Sequence, residues 1–305
     1  MNNKKSNIFD ISEDLTGQRL DNFLIKQLKG VPKSLVYKLV RSGQVRVNMK
    51  RCPVSHRIKK GDVVRIPPHI LKDETLSKNI LINVAQYIEY ENDNFIIINK
   101  PSGIAVHSGT NQKADFLSSL RTALTNNELS LVHRLDKNTS GCLLVSKNYK
   151  SSSYLGKIFS QREVKKKYHA LLVGRLEKDT IEIESKISKS ILDNKMTITN
   201  NEGKDAYTRI KLIKKFKSYS FVEVEIETGR THQIRVHAAS IGHPIAGDKK
   251  YSSDVFKNKN KEINLKRLFL HSFHLSFYYQ DQYEFILDLP NDLKEVLSRL
   301  EDQND

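Results

Sequence analysis

A polar nonapeptide at residues 133–141, HRLDKNTSG, separates two apolar segments near the middle of the chain. Leu131 and Val132 precede it, and the apolar run 142–145 follows it. Apolar runs joined by turn-forming residues predict two strands with a polar connection between them. The carboxylate of Asp136 would then lie on a loop held between rigid elements, where reactive groups are commonly found. Locally, a plain turn explains the same residues, so other segments must distinguish the two interpretations.

The chain is strongly basic, with 51 Lys and Arg against 35 Asp and Glu and a net charge of +16. Such a surplus favours a polyanionic partner, with nucleic acid as the first candidate and an anionic membrane surface as the second. A basic protein without such a partner is the third interpretation. Residues 16–68 contain 13 cations and only two acids, Asp21 and Asp62, so this segment carries a charge of +11.

The sequence also limits where the protein is expected to act. No apolar run is long enough to cross a bilayer, and the N-terminus lacks the apolar core of a secretory signal. Cys52 and Cys142 lie far apart, match no metal-binding spacing and are too few for a disulfide framework. We therefore expect a cytoplasmic protein with reduced cysteines and no membrane attachment.

Residues 1–15 are expected to form a flexible tail, and residues 16–68 a small module. Apolar residues in 20–28 recur at helical spacing, and a second helix after Pro32 ends at Gly43. The period changes to two at Val45 and again in residues 63–66, which predicts strands. The order of these elements and the segment GQRLDNFLIKQLKGVPKSLVYKLVRSGQVRVN at residues 17–48 resemble an S4 RNA-binding domain.

A charge-dense face on such a module suits the phosphates of a nucleic-acid backbone, which give affinity without sequence recognition. A solvated basic face that binds nothing is the alternative. The cations expected to bind RNA in this module are Lys33, Lys38, Arg41, Arg46, Lys50 and Arg51.

A polar stretch at residues 69–85 is expected to be a linker, and residues 86–305 a larger domain. A short buried strand at 95–98 runs directly into NKPSGIAVH at residues 99–107. Lys100 and His107 of this segment are expected to contact RNA phosphate or shape a pocket, with plain loop surface as the alternative. A basic segment at 162–167 leads into a strand that begins with Tyr168, and strands are also expected within 180–226.

The segment ETGRTHQIRVH at residues 227–237 is the second strong motif. It predicts a helix whose N-cap is Thr231, with Arg230 just before the helix and Arg235 on its first turns. His232 and His237 are five residues apart and do not share a helix face, which argues against a zinc site.

Five segments, in this order, resemble the pseudouridine synthase family of the large-subunit ribosomal RNA type: NKPSGIAVHSG, LVHRLDKNTSG, VKKKYHALLVG, TGRTHQIRVHAASIGHPIAGD and LFLHSFHLSF. The resemblance covers nearly the whole chain from Thr16. It implies an α+β fold, in which a small S4-like α/β domain precedes a catalytic domain with a central mixed, mainly antiparallel sheet flanked by helices. It implies a reaction that breaks the N1–C1′ bond of uridine, rotates the base and rejoins it through C5, without a metal or an organic cofactor.

The resemblance also implies roles for individual residues. Asp136 would be the catalytic carboxylate, paired with Arg235. Arg230 is a weaker candidate for that pairing and is also expected to bind RNA. Tyr168 would stack on the uracil and is a candidate for removing the C5 proton. Arg134 would fill the space left by the flipped base, because a base must leave its stack to be reached.

The expected partner is 23S ribosomal RNA or a large-subunit assembly intermediate, bound by a monomer. Uridines of other ribosomal RNA or of transfer RNA are an alternative within the same family. A non-catalytic S4-type RNA-binding factor is the alternative from a different class. The presence of both Asp136 and Arg235 favours the enzyme over that factor.

Overall fold

The protein, in its computed structural model, is described for residues 7–28, 31, 33–66, 83–106, 116–190, 195–199, 202–253 and 262–302. The chain divides into two compact units, Met1–Asn79 and Ile80–Asp305. Residues 67–82, which include most of the expected linker, lie outside the described residues. None of the helices in the described ranges is long and apolar enough to span a membrane.

The N-terminal unit packs two helices, α1 (Leu20–Gln27) and α2 (Lys33–Arg41), with a small antiparallel sheet. The order of its strands is β1 (Asn7–Asp10), β3 (Val63–Ile66), β2 (Arg46–Val47). Strand β1 lies within the expected flexible tail, so the structure differs from that expectation. Its backbone pairs with β3, more than 50 residues along the chain, and a partner at that distance leaves no local pattern in the sequence.

The larger unit is built on one continuous sheet. In the described part of the chain its strands follow the order β10-β9-β11-β12-β8-β13-β7-β5-β4, with β6 also beside β7 and β14 beside β13. Strands β13 and β7 run parallel, whereas the other neighbouring strands are antiparallel. The predicted mixed, mainly antiparallel sheet is therefore confirmed. The strands are β4 (Ile88–Glu91), β5 (Phe95–Lys100), β6 (Ser130–Leu131), β7 (Ser140–Ser146), β8 (Lys165–Val173), β9 (Thr180–Lys189), β10 (Met196–Thr199), β11 (Lys204–Lys215), β12 (Tyr219–Ile226), β13 (Leu270–Tyr279) and β14 (Asp281–Ile286).

Helices cover both faces of this sheet. In β5, Ile96 and Ile98 belong to one buried cluster, and Phe95 and Ile97 belong to another. Successive side chains of a strand point to opposite faces, so a strand covered on both sides reads as an unbroken apolar run. Helices α3 (Phe116–Ala123), α5 (Gln233–Ser240) and α6 (Asn291–Asp302) contribute to the first cluster, and α4 (Tyr149–Ser160) contributes to the second.

Helix α5 begins differently from the prediction. Its N-cap position is His232 and not Thr231, and His232 has a left-handed backbone with φ 57°. The side chain of the next residue, Gln233, fixes this entry, because its Oε1 accepts hydrogen bonds from Thr228 Oγ1 at 2.7 Å and from the backbone N–H of Arg230 at 3.1 Å. This buried amide holds the turn that precedes the helix, and the side chain of His232 makes no capping hydrogen bond.

Candidate active site

The loop that carries Asp136 connects β6 to β7 and is held from behind by the segment after β5. Nζ of Lys100 donates to the carbonyls of Pro101 at 2.7 Å, Ile104 at 2.9 Å and Lys137 at 3.2 Å. The backbone N–H of Gly103 also donates to the carbonyl of Lys137, at 2.8 Å. The two loops are therefore tied together directly beside the carboxylate.

These contacts correct the expectation that Lys100 binds RNA. Its side chain is 0% exposed, and its ammonium group is directed at backbone carbonyls, so it does not reach a phosphate. Burial lowers the pKa of Lys100 to about 7, an effect that the charge of Asp136 partly opposes. No local pattern indicates this burial, because a lysine after an apolar strand is ordinarily exposed. His107, also expected to bind RNA, lies outside the described residues.

Arg235 connects Asp136 to a second, buried acid. Its Nε and Nη2 donate to the two carboxylate oxygens of Asp248 at 2.7 and 2.9 Å, and its Nη1 donates to Asp136 Oδ2 at 3.2 Å. Burial alone would raise the pKa of Asp248, but the hydrogen bonds and charge of Arg235 outweigh that effect and lower it. A planar guanidinium can bind one carboxylate with two nitrogens and still offer a third to another acid.

Tyr168 lies on the floor of the same region, in a row of residues that crosses three neighbouring strands. Ser272 of β13 is paired with Tyr168 of β8 on one side and with Gly141 of β7 on the other. Gly141 has φ 110°, and a Cβ placed on it would be 2.1 Å from the carbonyl oxygen of Ser272. Only glycine permits this close approach of the two strands.

Asp136, Tyr168 and Arg235 line one open pocket together with Arg134 and Arg230. About 410 Å³ of space without protein atoms, part of it open to solvent, lies within the pocket. Arg134 is exposed, and Nε of Arg230 donates to the carbonyl of Asp205 at 3.0 Å. The structure thus brings together five residues that the sequence singled out in three separate motifs.

The predicted cations of the N-terminal unit lie on α2 and in the segment that follows it. The side chains of Lys38, Arg41, Arg46, Lys50 and Arg51 are exposed. Arg46 Nε donates to the carbonyl of Gly43 at 3.3 Å, and a Cβ on Gly43 would be 2.2 Å from Nε of Arg51. Lys33 is the first residue of α2, and its side chain lies outside the described part of the chain.

Sequence reasoning missed three residues at the pocket: Asp248, Tyr251 and His232. Asp248 accepts the bidentate contact of Arg235, and Tyr251 lies under the same guanidinium, 5.0 Å from it. His232 lines the pocket itself. For Asp248 and Tyr251, the available signal was an acid and an aromatic residue in the segment GDKKY at residues 247–251, a short distance after the helix that carries Arg235.

The chain is also similar to known proteins. Residues 94–240 match the family described as RNA pseudouridylate synthase, and residues 18–64 match the S4 domain, which confirms the predicted RNA-binding module. A curated relative from Vibrio parahaemolyticus, "Ribosomal large subunit pseudouridine synthase C", is 40% identical over 91% of this chain and 90% of its own length. A relative of the same name from Haemophilus influenzae is 38% identical over 98% of this chain and 96% of its own length.

Two solved human structures have a similar fold. "Human RNA Pseudouridylate Synthase Domain Containing 1" aligns with a TM-score of 0.57 and 26% identity, over 67% of this chain and 83% of its own. "Human RNA Pseudouridylate Synthase Domain Containing 4" aligns with a TM-score of 0.62 and 24% identity, over 73% and 95%.

Proposed function

The chain belongs to the RNA pseudouridylate synthase family, and we propose that it converts a uridine of large-subunit ribosomal RNA to pseudouridine at the pocket around Asp136. Relatives that cover nearly the whole chain carry names that refer to the large ribosomal subunit. The observation that carries the assignment of the site is the Asp136 carboxylate, held 3.2 Å from Arg235 Nη1 in an open pocket that Tyr168 also lines.

The proposed reaction exchanges one bond of the nucleotide for another. The N1–C1′ bond breaks, the uracil turns, and a C5–C1′ bond forms, after which C5 loses a proton and N1 gains one. Product and substrate have the same atoms and the same oxidation state, so the proposal includes no metal and no organic cofactor. Asp136 is the group that acts on the nucleotide, as carboxylates do in other reactions at a sugar C1′.

Access to the nucleotide requires that its base leave the stack, at a cost of a few kcal/mol. Arg134 is exposed at the pocket, and we propose that its side chain fills the space that the base vacates. We assign to Tyr168 the packing surface for the uracil ring. Burial raises the pKa of Tyr168, although a hydrogen bond with Ser272 partly opposes the shift. The phenol is therefore neutral at physiological pH, which favours its packing role over its role as the base that removes the C5 proton.

The cations of the S4 domain, Lys38, Arg41, Arg46, Lys50 and Arg51, supply the proposed contacts to the RNA backbone. Their exposure and the near absence of acids in that segment support this assignment. The proposed substrate is 23S ribosomal RNA or a large-subunit assembly intermediate in the cytoplasm, bound by one copy of the chain.

The test compares pseudouridine positions in ribosomal RNA from cells that lack this protein with those from cells given it back. We expect the wild-type chain to restore a specific pseudouridine and Asp136→Asn to restore none, although that variant binds the RNA as tightly. Asp292→Asn is the matched control, since Asp292 also pairs with an arginine, Arg267, but does not line the Asp136 pocket. An unchanged modification pattern, or full activity of Asp136→Asn, would contradict the proposal.

A further inference from the structure

His232 faces the nucleotide pocket but has no part in the function proposed so far. Its ring is half-buried, and its Nε2 lies 3.8 Å from Asp136 Oδ2. That separation is too long for a direct hydrogen bond, but an atom bound beside Asp136 could contact both groups. The left-handed backbone of His232, with φ 57°, is uncommon for a residue other than glycine, and such strain is frequent at functional positions.

The contacts of His232 bear on which of its nitrogens carries the proton. Its Nδ1 lies 2.7 Å from the hydroxyl of Tyr251, and that hydroxyl oxygen already accepts the backbone N–H of Met196 at 3.1 Å. The phenol still has its own proton to donate to Nδ1, and in that arrangement a neutral imidazole carries its proton on Nε2. Burial lowers the pKa of His232, which favours this neutral form. The resulting Nε2–H is on the side of the ring nearer to Asp136.

Tyr251 is itself held in place by independent contacts. The guanidinium of Arg235 lies over its ring at 5.0 Å, and the rings of Tyr251 and His232 meet edge to face at 5.5 Å. Arg235 thus contacts Asp136 directly and His232 through Tyr251. The carboxylate and the imidazole are consequently fixed relative to each other before any RNA binds.

We propose that the Nε2–H of His232 donates a hydrogen bond to O2 of the target uracil while the base is detached from C1′. This inference rests on the proposed function. When the N1–C1′ bond breaks, its electron pair stays on N1, and the negative charge spreads onto O2, the carbonyl oxygen next to N1. A fixed donor at that oxygen stabilises the detached base. The proton remains on His232, and the charge disappears when C5–C1′ forms, C5 releases its proton and N1 takes one up.

Two substitutions separate this donor from the surrounding structure. His232→Asn is tolerated by a left-handed backbone but places no donor at the position of Nε2. Tyr251→Phe keeps the ring under Arg235 and removes the hydroxyl that orients the imidazole. His243→Asn is the matched control, because its Nδ1 binds the carbonyl of Val173 at 2.9 Å and it does not line the pocket. Circular dichroism of each variant checks that the chain is folded.

The assay measures single-turnover pseudouridine formation and the Kd of an RNA oligonucleotide that spans the uridine mapped in the cellular experiment. Removing one preorganised donor typically slows a reaction roughly 10²- to 10³-fold. We expect a loss of that order for His232→Asn, a smaller loss for Tyr251→Phe, no change for His243→Asn, and a Kd within about threefold throughout.

A second substrate with 2-thiouridine at the target tests the contact atom itself, because sulfur is a weaker hydrogen-bond acceptor than oxygen. The thio substitution should slow the wild-type chain more than His232→Asn. Equal slowing of both, or an unimpaired His232→Asn rate with uridine, would overturn this inference and leave the proposed function intact. A wild-type chain that modifies no uridine would instead refute the proposed function, and this inference with it.

Discussion

Replacement of Gly141 by alanine tests the strand arrangement beneath the pocket. The added Cβ would lie 2.1 Å from the carbonyl oxygen of Ser272, 2.7 Å from its carbonyl carbon and 2.8 Å from its nitrogen, all of them backbone atoms. Since no flexible side chain can move aside, β7 and β13 must separate. We expect this overpacking to lower the free energy of unfolding by ~1–3 kcal/mol. The positive φ of 110° should lower it by a further ~1–2 kcal/mol once the residue is alanine.

Gly242→Ala is the matched control for that experiment. Gly242 also has a positive φ, 78°, but nothing lies within 4 Å of the position that an added Cβ would occupy. Both variants carry backbone strain, and both reduce the entropy of the unfolded chain. The difference between their free energies of unfolding therefore isolates the clash at Ser272, at ~1–3 kcal/mol.

The chain contains no tryptophan, so unfolding in urea is followed by far-UV circular dichroism. Hydrogen exchange of peptides from β7 and β13 assigns the transition to the larger unit. Since β7 follows the Asp136 loop, a separation of β7 and β13 should also displace Asp136 from Tyr168, and a displacement of about 1 Å costs roughly 10²-fold in rate. If Gly141→Ala and Gly242→Ala have equal stability and equal activity, the close approach of the strands is refuted.

The contacts of Arg235, of the S4 cations and of two buried histidines lead to three further predictions. Arg235→Lys should lower kcat strongly with little change in the Kd for RNA, because the ammonium group of lysine cannot replace a planar guanidinium that binds two carboxylates. Turnover equal to that of the wild type would contradict this. Replacing Lys38 and Arg41 together by glutamine should reduce the slope of log Kd against log salt by roughly 1.5, and an unchanged slope would exclude phosphate contacts. Burial lowers the pKa of His237 and His271 to about 4, below the value of the unfolded chain. The free energy of unfolding should therefore be highest above pH 6.5 and should fall as the pH is lowered toward 4. Each histidine should lower it by up to ~1.4 kcal/mol per pH unit. Urea titrations that give the same free energy of unfolding across this range would contradict the prediction.

The sequence predicted those parts of the molecule that depend on local pattern. Leu20 and Phe23 marked the first helix by their spacing, and the apolar residues 142–145 marked a central strand. Turn formers between two apolar runs placed Asp136 on a loop, and the motif of Arg235 placed it near the start of a helix, whereas their catalytic roles were implied by the resemblance to the family. In each case the local structure is predicted by the periodicity or the turn-forming residues of one short segment.

The parts that were missed depend on contacts between distant segments. Lys100 reads as a surface cation, although the carbonyls that bury it belong partly to Lys137. Spacing excluded His232 as half of a zinc pair, but its contact with Tyr251 becomes visible only in the folded chain. In the sequence, Gly141 looks like the end of a turn. Glycine is required there because the backbone of Ser272, more than 100 residues later, lies against it.

The row formed by Tyr168, Ser272 and Gly141 has a consequence for the RNA. These residues occupy three neighbouring strands of one sheet, and the ladder hydrogen bonds on both sides of β13 oppose any shift of one strand against the next. The part of the pocket formed by Tyr168 therefore has little freedom to move toward a nucleotide that remains within a helix. If the chain acts on RNA as proposed, the target base must leave its own stack to reach Tyr168, so the stability of the local RNA structure should affect the rate of modification.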